Sequence, residues 1–277
     1  MPELPEVEMV ARHLRALVVG RTITKAQLLW PRTAPEQTAR QFAAGLKGAR
    51  VEAVGRRGKY ILVHLHNGRT LLVHLRMTGR FFYLDSQAEL PSHARAIFQL
   101  DNTKQLLFHD VRKFGKLHLV PTSRLHESAQ LAALAPEPFS AEFSLAYLFD
   151  TLRASAQQIK LALLDQTKVL GLGNIYAAEA LHRAGVHPKL AARKLSKPRA
   201  ARLHQEIVSV LNEAIANEST LNTDPESLDA SYTGGTYETM TRVYERAGMP
   251  CLVCATPIRR IVQGQRSTYF CPQCQRR

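Results

Sequence analysis

Several features that define common protein classes are missing from this sequence. No stretch approaches the ~20 apolar residues that a membrane-spanning helix needs, and the N-terminus lacks the charged-then-apolar layout of a secretory signal. The chain shows neither an internal repeat nor a low-complexity tract. With 45% hydrophobic residues it is typical of a globular protein. We therefore expect a cytoplasmic protein without membrane association.

Acidic residues are scarce relative to basic ones. The 37 Lys and Arg residues face 23 Asp and Glu residues, which gives a formal net charge of +14 at pH 7. Solubility alone needs a charge of magnitude about 2 to 8. The excess attracts polyanions, and nucleic acid is favoured over an anionic membrane surface.

Cysteine is rare and is confined to the C-terminal end. Two C-x2-C pairs, separated by sixteen residues, match the spacing of knuckles that place four thiolates tetrahedrally around zinc. A pair of disulfides is the alternative, but a chain of this size without a secretory signal has little need of them. Four thiolates leave no open position, so we expect one structural Zn2+. The ligands are Cys251, Cys254, Cys271 and Cys274.

The residue pattern of the chain changes from strand-like to helix-like near Ala135. A helix through about Val18 is followed by β-branched and aromatic runs, broken by Asn67-Gly68, a strong hairpin signal. The second half shows helical periodicity, apart from residues 221–238, which have no clear period and indicate a mobile loop. The sequence predicts an α+β fold: an N-terminal helix with an antiparallel β-sandwich (1–135), a helical domain (136–238) and a zinc ribbon (239–277).

The opening "MPELPEVE" has two interpretations. Proline suits the first turn of a helix, and glutamate favours the positive end of the helix dipole. Removal of Met1 would instead leave Pro2 with a free secondary amine, a candidate nucleophile. Glu3 would then lie beside the amine as a general acid or base.

Two glycine-containing strings favour phosphate or active-site contacts. Lys59 follows Gly58 in a basic patch and suits a phosphate clamp or a proton donor as well as a solvated strand-edge lysine. In "GLGN", glycines let the backbone approach a phosphate, and Asn174 would cap a helix that begins at Ile175. A plain capped helix without a ligand is the alternative.

Six strings occur in one order along the whole chain: "PELPEVE", "GRRGKYI", "HLRMTG", "DVRKFG", "GLGNIYAAEALHRAG" and the paired C-x2-C motifs. Together they resemble the bacterial formamidopyrimidine-DNA glycosylases. The resemblance implies a monomer that binds duplex DNA, removes oxidised purines such as 8-oxoguanine and formamidopyrimidines through a Pro2 Schiff base, and cleaves the abasic strand by β,δ-elimination. It implies a helix-two-turn-helix element in the helical domain.

The resemblance also implies residue roles. Pro2, Glu3 and Lys59 would be catalytic, and Arg266, at the tip of the zinc ribbon, would assist the second elimination. An everted nucleotide leaves a hole in the duplex, which an apolar wedge, a guanidinium and an aromatic ring would fill. The residues expected to contact DNA are His74, Met77, His93, Arg112, Phe114, Lys160 and Asn174.

Two alternatives remain open. Residues 217–220 depart from the Gly-Gly-Thr-Thr-like run often found in the family, which affects lesion preference; endonuclease-VIII-type enzymes for oxidised pyrimidines share the proline and the ribbon. Leu4 and the Met77, Arg112, Phe114 set favour the purine-directed branch. The second alternative is a zinc protein that binds damaged DNA without cutting it, which would need neither Pro2 nor Glu3.

Overall fold

The computed structural model describes residues 1–276, which form two compact units. The first contains Met1–Ala132 and Glu218–Thr236; the second contains Ala133–Asn217 and the described chain from Tyr237 onward. The division differs from the predicted one, which assigned residues 218–236 to the helical domain and made the ribbon a domain of its own. The physical reason is burial, because Leu221, Leu228 and Ala230 belong to the hydrophobic core of the first unit.

Two helices pack on the strands of the first unit. Glu3 is the N-cap of α1 (Leu4–Val18), and Pro5 lies in its first turn. Thr38 caps α2 (Ala39–Leu46), a helix that the sequence reading did not predict. The strands are β1 (Thr22–Leu28), β2 (Ala49–Arg57), β3 (Tyr60–Leu65), β4 (Arg69–His74), β5 (Gly79–Asp85), β6 (Ala94–Leu100), β7 (Lys104–Asp110) and β8 (Lys116–Pro121).

These strands form one antiparallel sheet in the order β5-β7-β6-β1-β2-β3-β4-β8. Its two four-stranded halves are joined by only two residue pairs, Thr22 with Arg50 and Ile23 with Ala49. Buried side chains of both halves and of α1 share one hydrophobic core. The predicted α+β architecture is confirmed, and so is the hairpin at Asn67-Gly68, where Gly68 has a φ of 72°.

Residues 218–236 cross over the edge of this sheet. They form a short hairpin of β9 (Asn222–Thr223) and β10 (Ala230–Ser231). The edge strand β5 binds the hairpin, since Tyr83 N–H donates to the Ser227 carbonyl at 2.7 Å and Arg80 donates to the Ala230 carbonyl at 3.0 Å. The segment thus satisfies part of an otherwise open sheet edge.

The second unit consists of helices and a terminal hairpin. Helices α5 and α6 pack together, and α3 packs on α6. A two-residue turn, Gly264-Gln265, joins β11 (Arg259–Gln263) to β12 (Arg266–Phe270), and both turn residues have positive φ, as in a type I′ turn. No helix within residues 1–276 has the length and apolarity to cross a membrane. The helices are α3 (Leu145–Arg153), α4 (Ile159–Leu164), α5 (Asn174–Arg183) and α6 (Lys197–Ala216).

Candidate active site and nucleic-acid contacts

Pro2 lies just ahead of the first helix rather than in it. Glu3 has extended backbone angles as the N-cap, and Pro5 takes the first-turn position that proline favours. Helix initiation therefore accounts for Pro5 and leaves Pro2 without that explanation. Pro2 is buried, whereas Met1 in front of it is 43% exposed and accessible to removal.

Glu3 and Glu6 form a buried pair of acids at this helix start. Glu3 is 2% and Glu6 is 1% exposed. The Glu3 N–H donates to Glu6 Oε2 at 2.8 Å, which completes a capping box. Thr220, on the segment 218–236, donates its hydroxyl to Glu6 Oε1 at 3.0 Å. Glu6 therefore supports both the start of α1 and the segment 218–236.

Lys59 lies at the tip of the β2–β3 hairpin. The turn consists of Gly58 and Lys59, and Gly58 has a φ of 55°, which suits glycine. Lys59 is 5% exposed and so is not a solvated strand-edge lysine. Arg56 connects this turn to α1, because its guanidinium donates to the Gly58 carbonyl at 3.1 Å and to Glu8 Oε2 at 3.1 Å.

His74 ends β4 close to Lys59. Burial, with the charges of Arg76 and Lys59, lowers the pKa of His74 to about 3. The ring is therefore neutral at pH 7. Its Nδ1 accepts the Arg76 N–H at 3.0 Å, so the remaining proton is on Nε2. A neutral imidazole of this tautomer can donate a hydrogen bond to a phosphate oxygen.

Three residues expected to fill the hole in the duplex come together on two neighbouring turns. Met77 and Phe114 are 42% and 48% exposed. The Arg112 guanidinium lies 2.9 Å from the Met77 sulfur and 4.9 Å from the centroid of the Phe114 ring. The predicted placement on loop tips is therefore observed, and their contacts with DNA stay a prediction.

Asp110 holds both turns, and the sequence reading missed it. Its carboxyl group, 1% exposed, accepts the Thr78 hydroxyl from one turn and the Gly115 N–H, at 2.7 Å, from the other. The Asp110 N–H donates to the His93 carbonyl at 3.1 Å, which places the exposed His93 beside the same turns. The available signal was an aspartate before a glycine-containing turn, since such side chains bond nearby backbone.

Lys160 is buried rather than solvated. It is 1% exposed, and its ammonium donates to Asn174 Oδ1 at 2.6 Å, to the Ser267 carbonyl at 3.0 Å and to the Thr268 hydroxyl at 2.8 Å. It thereby links α4, the start of α5 and the terminal hairpin. Its phosphate contact stays a prediction.

Asn174 is the first residue of α5, and Gly173 is the N-cap, which corrects the predicted cap at Asn174. The reason is Lys160: a lysine only donates, so the Asn174 oxygen faces it, and the amide nitrogen faces the opposite side. Gln166 shapes the preceding turn by bonding the Leu164 and Leu172 carbonyls, both at 2.9 Å. The helix N-terminus and the amide together suit an anion.

Arg266 occupies the predicted place at the tip of the terminal hairpin. It is the first residue of β12, pairs with Gln263 and is exposed. The next two residues, Ser267 and Thr268, accept the hydrogen bonds from Lys160. An exposed guanidinium on a braced turn suits a phosphate contact.

The four cysteines form the predicted cluster. Their sulfurs all lie within 4.8 Å of one another, and the separations of Cys254 from Cys271 and from Cys274 are both 3.4 Å. A tetrahedron with Zn–S bonds of about 2.3 Å has sulfur edges of about 3.8 Å, so the set fits zinc. Hydrogen bonds from Thr256 lower the pKa of Cys254 to about 6, which favours the thiolate that binds metal.

The cluster rests on α5 through Glu179, a further residue that the sequence reading missed. Glu179 is fully buried and accepts the backbone N–H groups of Arg242, Val243 and Tyr244 at 2.8 to 3.0 Å. Ala178 on the same helix packs with Cys251 and Cys271. The ribbon therefore has both polar and apolar support from the helical part of its unit.

Comparison with known proteins accounts for most of the chain. Residues 1–117 match the formamidopyrimidine-DNA glycosylase N-terminal domain, and residues 134–224 match the formamidopyrimidine-DNA glycosylase H2TH domain. Residues 248–277 match a zinc finger found in FPG and IleRS. The three matches occur in the order in which the sequence analysis placed its three regions.

Curated relatives align over the full length. The formamidopyrimidine-DNA glycosylase of Desulforamulus reducens is 42% identical over 100% of this chain and 99% of its own, and that of Bacillus subtilis is 40% identical over 99% of each. Among solved structures, Lactococcus lactis Fpg in complex with DNA containing an abasic site superposes with a TM-score of 0.92 at 32% identity, covering 99% of this chain and 100% of that one. MutM in complex with DNA containing carbocyclic 8-oxo-G gives 0.91 at 33% identity, with both chains fully covered.

Proposed function

Because the chain belongs to the formamidopyrimidine-DNA glycosylase family, we propose that it is a base-excision repair enzyme that removes oxidised purines from duplex DNA and then cleaves the abasic strand. The observation that carries the assignment of the nucleophile is the position of Pro2. It lies buried before the N-cap, where helix initiation does not require it, next to the buried carboxyl group of Glu3. The zinc ribbon and the charge of +14 supply the DNA-binding side of the activity.

The reaction begins when Met1 has been removed and the Pro2 amine is free. The amine attacks the sugar C1′ as the glycosidic bond breaks and the base leaves with a proton. The bond between C1′ and the ring oxygen then breaks, the ring oxygen takes up a proton, and C1′ and the Pro2 nitrogen form an iminium. Glu3 protonates the sugar ring oxygen or moves the protons of the imine. Two eliminations follow: loss of a C2′ proton breaks the C3′–O bond, and a second elimination breaks the C5′–O bond. Lys59 is the proposed proton donor, and Arg266 contacts the phosphates beside the lesion and assists the second elimination.

The exposed groups of both units position the DNA. Met77, Arg112 and Phe114 fill the space that the everted nucleotide leaves, with the guanidinium facing the orphaned base and the ring stacked beside it. Asn174, Lys160 and His74 contribute phosphate contacts, and His93 a further DNA contact. We place the protein in the cytoplasm, with the DNA on which it acts, as a monomer.

The test is borohydride trapping on abasic DNA, which reduces the iminium to a stable covalent bond. Protein lacking Met1 should be trapped, whereas protein that retains Met1 should bind the same DNA without being trapped. Pro5→Ala is the matched control, because it alters the helix start and leaves the Pro2 amine intact. Trapping of the Met1-bearing form, or its loss in Pro5→Ala alone, would remove Pro2 from the mechanism.

Lesion preference is tested on duplexes that each carry one oxidised base. The proposal predicts faster single-turnover excision of 8-oxoguanine and formamidopyrimidine than of oxidised pyrimidines. The reverse order would assign the protein an endonuclease-VIII-type preference, with the unusual residues 217–220 as its first explanation.

A further inference from the structure

The start of α1 and the segment 218–236 share one buried carboxyl group, that of Glu6. Its Oε2 accepts the Glu3 N–H at 2.8 Å. Its Oε1 accepts the N–H of Thr220 at 3.3 Å and the hydroxyl of the same residue at 3.0 Å. One oxygen therefore holds the residue beside Pro2, and the other holds a residue 214 positions further along the chain.

Thr220 and Gly235 are the residues at which the two ends of this segment meet, and we call this place its neck. The Gly235 N–H donates to the Thr220 carbonyl at 3.2 Å, and a Cβ at Gly235 would lie 2.4 Å from the Thr220 carbonyl carbon, so the two ends of the segment close directly on each other. Glu218 and Ser219, immediately before the neck, both have a φ of 57°. Left-handed backbone is unfavourable for such residues and persists where surrounding contacts enforce it. The bonds to Glu6 are contacts of that kind.

Beyond the neck, the segment does not pack closely on the middle of α1. A cavity of about 180 Å³ lies there, lined by Met9 and His13 from the helix and by Leu221 and Gly234 from the segment. Further along, Ser227 is bonded to β5. The segment is thus fixed at its neck and at its far end, with open space between, and the neck is the end that Glu6 connects to Glu3.

We propose that Glu6 is a positioning residue that couples the segment 218–236 to the Pro2–Glu3 end of α1, so that the placement of the segment controls the alignment of the nucleophile during base excision. The inference rests on the proposed function. The resemblance ties residues 217–220 to lesion preference, so the proposal has the segment act while a base is in the site. Base excision has a base in the site and cleavage of an abasic site has none, so loss of the Thr220 bonds should affect the first step and leave the second unchanged. Loss of the bonds between Glu6 and Thr220 alone should therefore have a different consequence from loss of the Glu6 bonds to both Thr220 and Glu3.

The experiment compares four proteins in single-turnover excision of 8-oxoguanine, in cleavage of abasic DNA and in borohydride trapping. Thr220→Val removes the hydroxyl bond to Glu6 and should slow excision by about tenfold, with abasic cleavage within about twofold of the parent. Thr220→Ser keeps the hydroxyl and should restore excision. Glu6→Leu removes both acceptor oxygens, so that neither the Glu3 N–H nor Thr220 is held, and it should slow excision and abasic cleavage alike. Thr70→Val, an equally buried threonine whose hydroxyl bonds His64 and Thr122 in the sheet, is the matched control.

Coupling is measured directly by the double variant. If one carboxyl group transmits the effect, Thr220→Val in the Glu6→Leu background should add little further loss of excision. Additive losses, an equal effect of Thr220→Val on excision and abasic cleavage, or no rescue by Thr220→Ser would each overturn the coupling. A parent protein that neither excises the base nor is trapped would instead overturn the proposed function, which separates the two failures.

Discussion

In each unit, the turns that we propose to contact DNA are held by a buried ionisable side chain, and the two side chains are of opposite type. In the first unit, the carboxyl group of Asp110 accepts a hydroxyl and an N–H from the turns that carry Met77 and Phe114. In the second, the ammonium of Lys160 donates to three acceptors at the start of α5 and on the terminal hairpin. Both anchors are 1% exposed.

The difference follows from the groups to be held. A turn that presents N–H and hydroxyl donors needs an acceptor with two oxygens, whereas one that presents amide and carbonyl oxygens needs a donor with several protons. Burial makes each bond stronger and makes an unmade bond expensive. The exposed side chains on these turns are consequently placed by buried residues.

The units also differ in the structure that supports the anchoring side chain. The turns of the first unit rest on a large hydrophobic core, which includes Phe108 and Leu75. The terminal hairpin is too small to bury a core of its own and depends on its cysteine cluster and on α5. The second unit should therefore be the one that metal removal damages.

The largest expected effect is that of zinc removal. Structural zinc contributes about 10–16 kcal/mol to folding of small zinc domains, so chelation or Cys271→Ser should unfold the ribbon and lower DNA affinity by more than about tenfold as the Arg266 contact is lost. The only tryptophan, Trp30, lies in the first unit and should report unchanged fluorescence. Parent-level affinity in protein shown by metal analysis to lack zinc would contradict the comparison.

Lys160→Met should have the next largest effect. It leaves Asn174, Ser267 and Thr268 without their Lys160 donor, and hydrogen bonds to charged groups contribute about 1.5–3 kcal/mol each. Because methionine also removes the cost of burying an ammonium, the unfolding free energy of the second unit should fall by only about 3 kcal/mol. Urea denaturation followed by far-UV circular dichroism and by Trp30 fluorescence would locate the loss. Lys194→Met, at an exposed position, is the control and should be neutral.

Asp110→Asn should cost less, about 1–2 kcal/mol, because asparagine keeps one acceptor oxygen and so abandons only one of the two turns. Base excision should slow more than cleavage of abasic DNA, since the proposed function places the side chains of these turns in the space that the everted nucleotide leaves. The control is Asp101→Asn, at an exposed carboxylate that accepts the Thr22 N–H at 2.9 Å. Equal stability losses in the two variants would show that Asp110 is an ordinary turn aspartate.

The elements that present the exposed side chains could be predicted from the sequence. The buried residues that hold those elements together could not. Helix α1, the hairpin at Gly68 and the cysteine cluster follow from local pattern, because their signals lie within a few residues of one another. Asp110 and Lys160 act over sequence distances of 32 and 108 residues, to Thr78 and Thr268. No periodicity or spacing rule relates such positions.

The same limit explains two corrections. Segment 218–236 followed a helical region and was assigned to it, but its leucines are buried in the first unit. Asn174 has the residue type of an N-cap, and Lys160 draws its oxygen away from the helix end. In both cases a partner distant in sequence determined the outcome.

The smallest effect at pH 7 concerns His74. This residue is nearly as buried as Asp110 and Lys160, but its side chain is neutral and no acidic side chain within residues 1–276 pairs with it. Its pKa of about 3 lies below the value of about 6.5 in the unfolded chain, so the unfolded state binds more protons as the pH falls below 6.5. Stability due to the neutral ring should therefore decline by up to about 1.4 kcal/mol per pH unit between pH 6.5 and 4.

His74→Gln, which keeps an acceptor for the Arg76 N–H, should lose this part of the slope, whereas His126→Gln, at an exposed position, should keep it. Urea denaturation at pH 7, 6 and 5 measures the difference, and parallel profiles for the parent and His74→Gln would show that folding does not lower the pKa of His74.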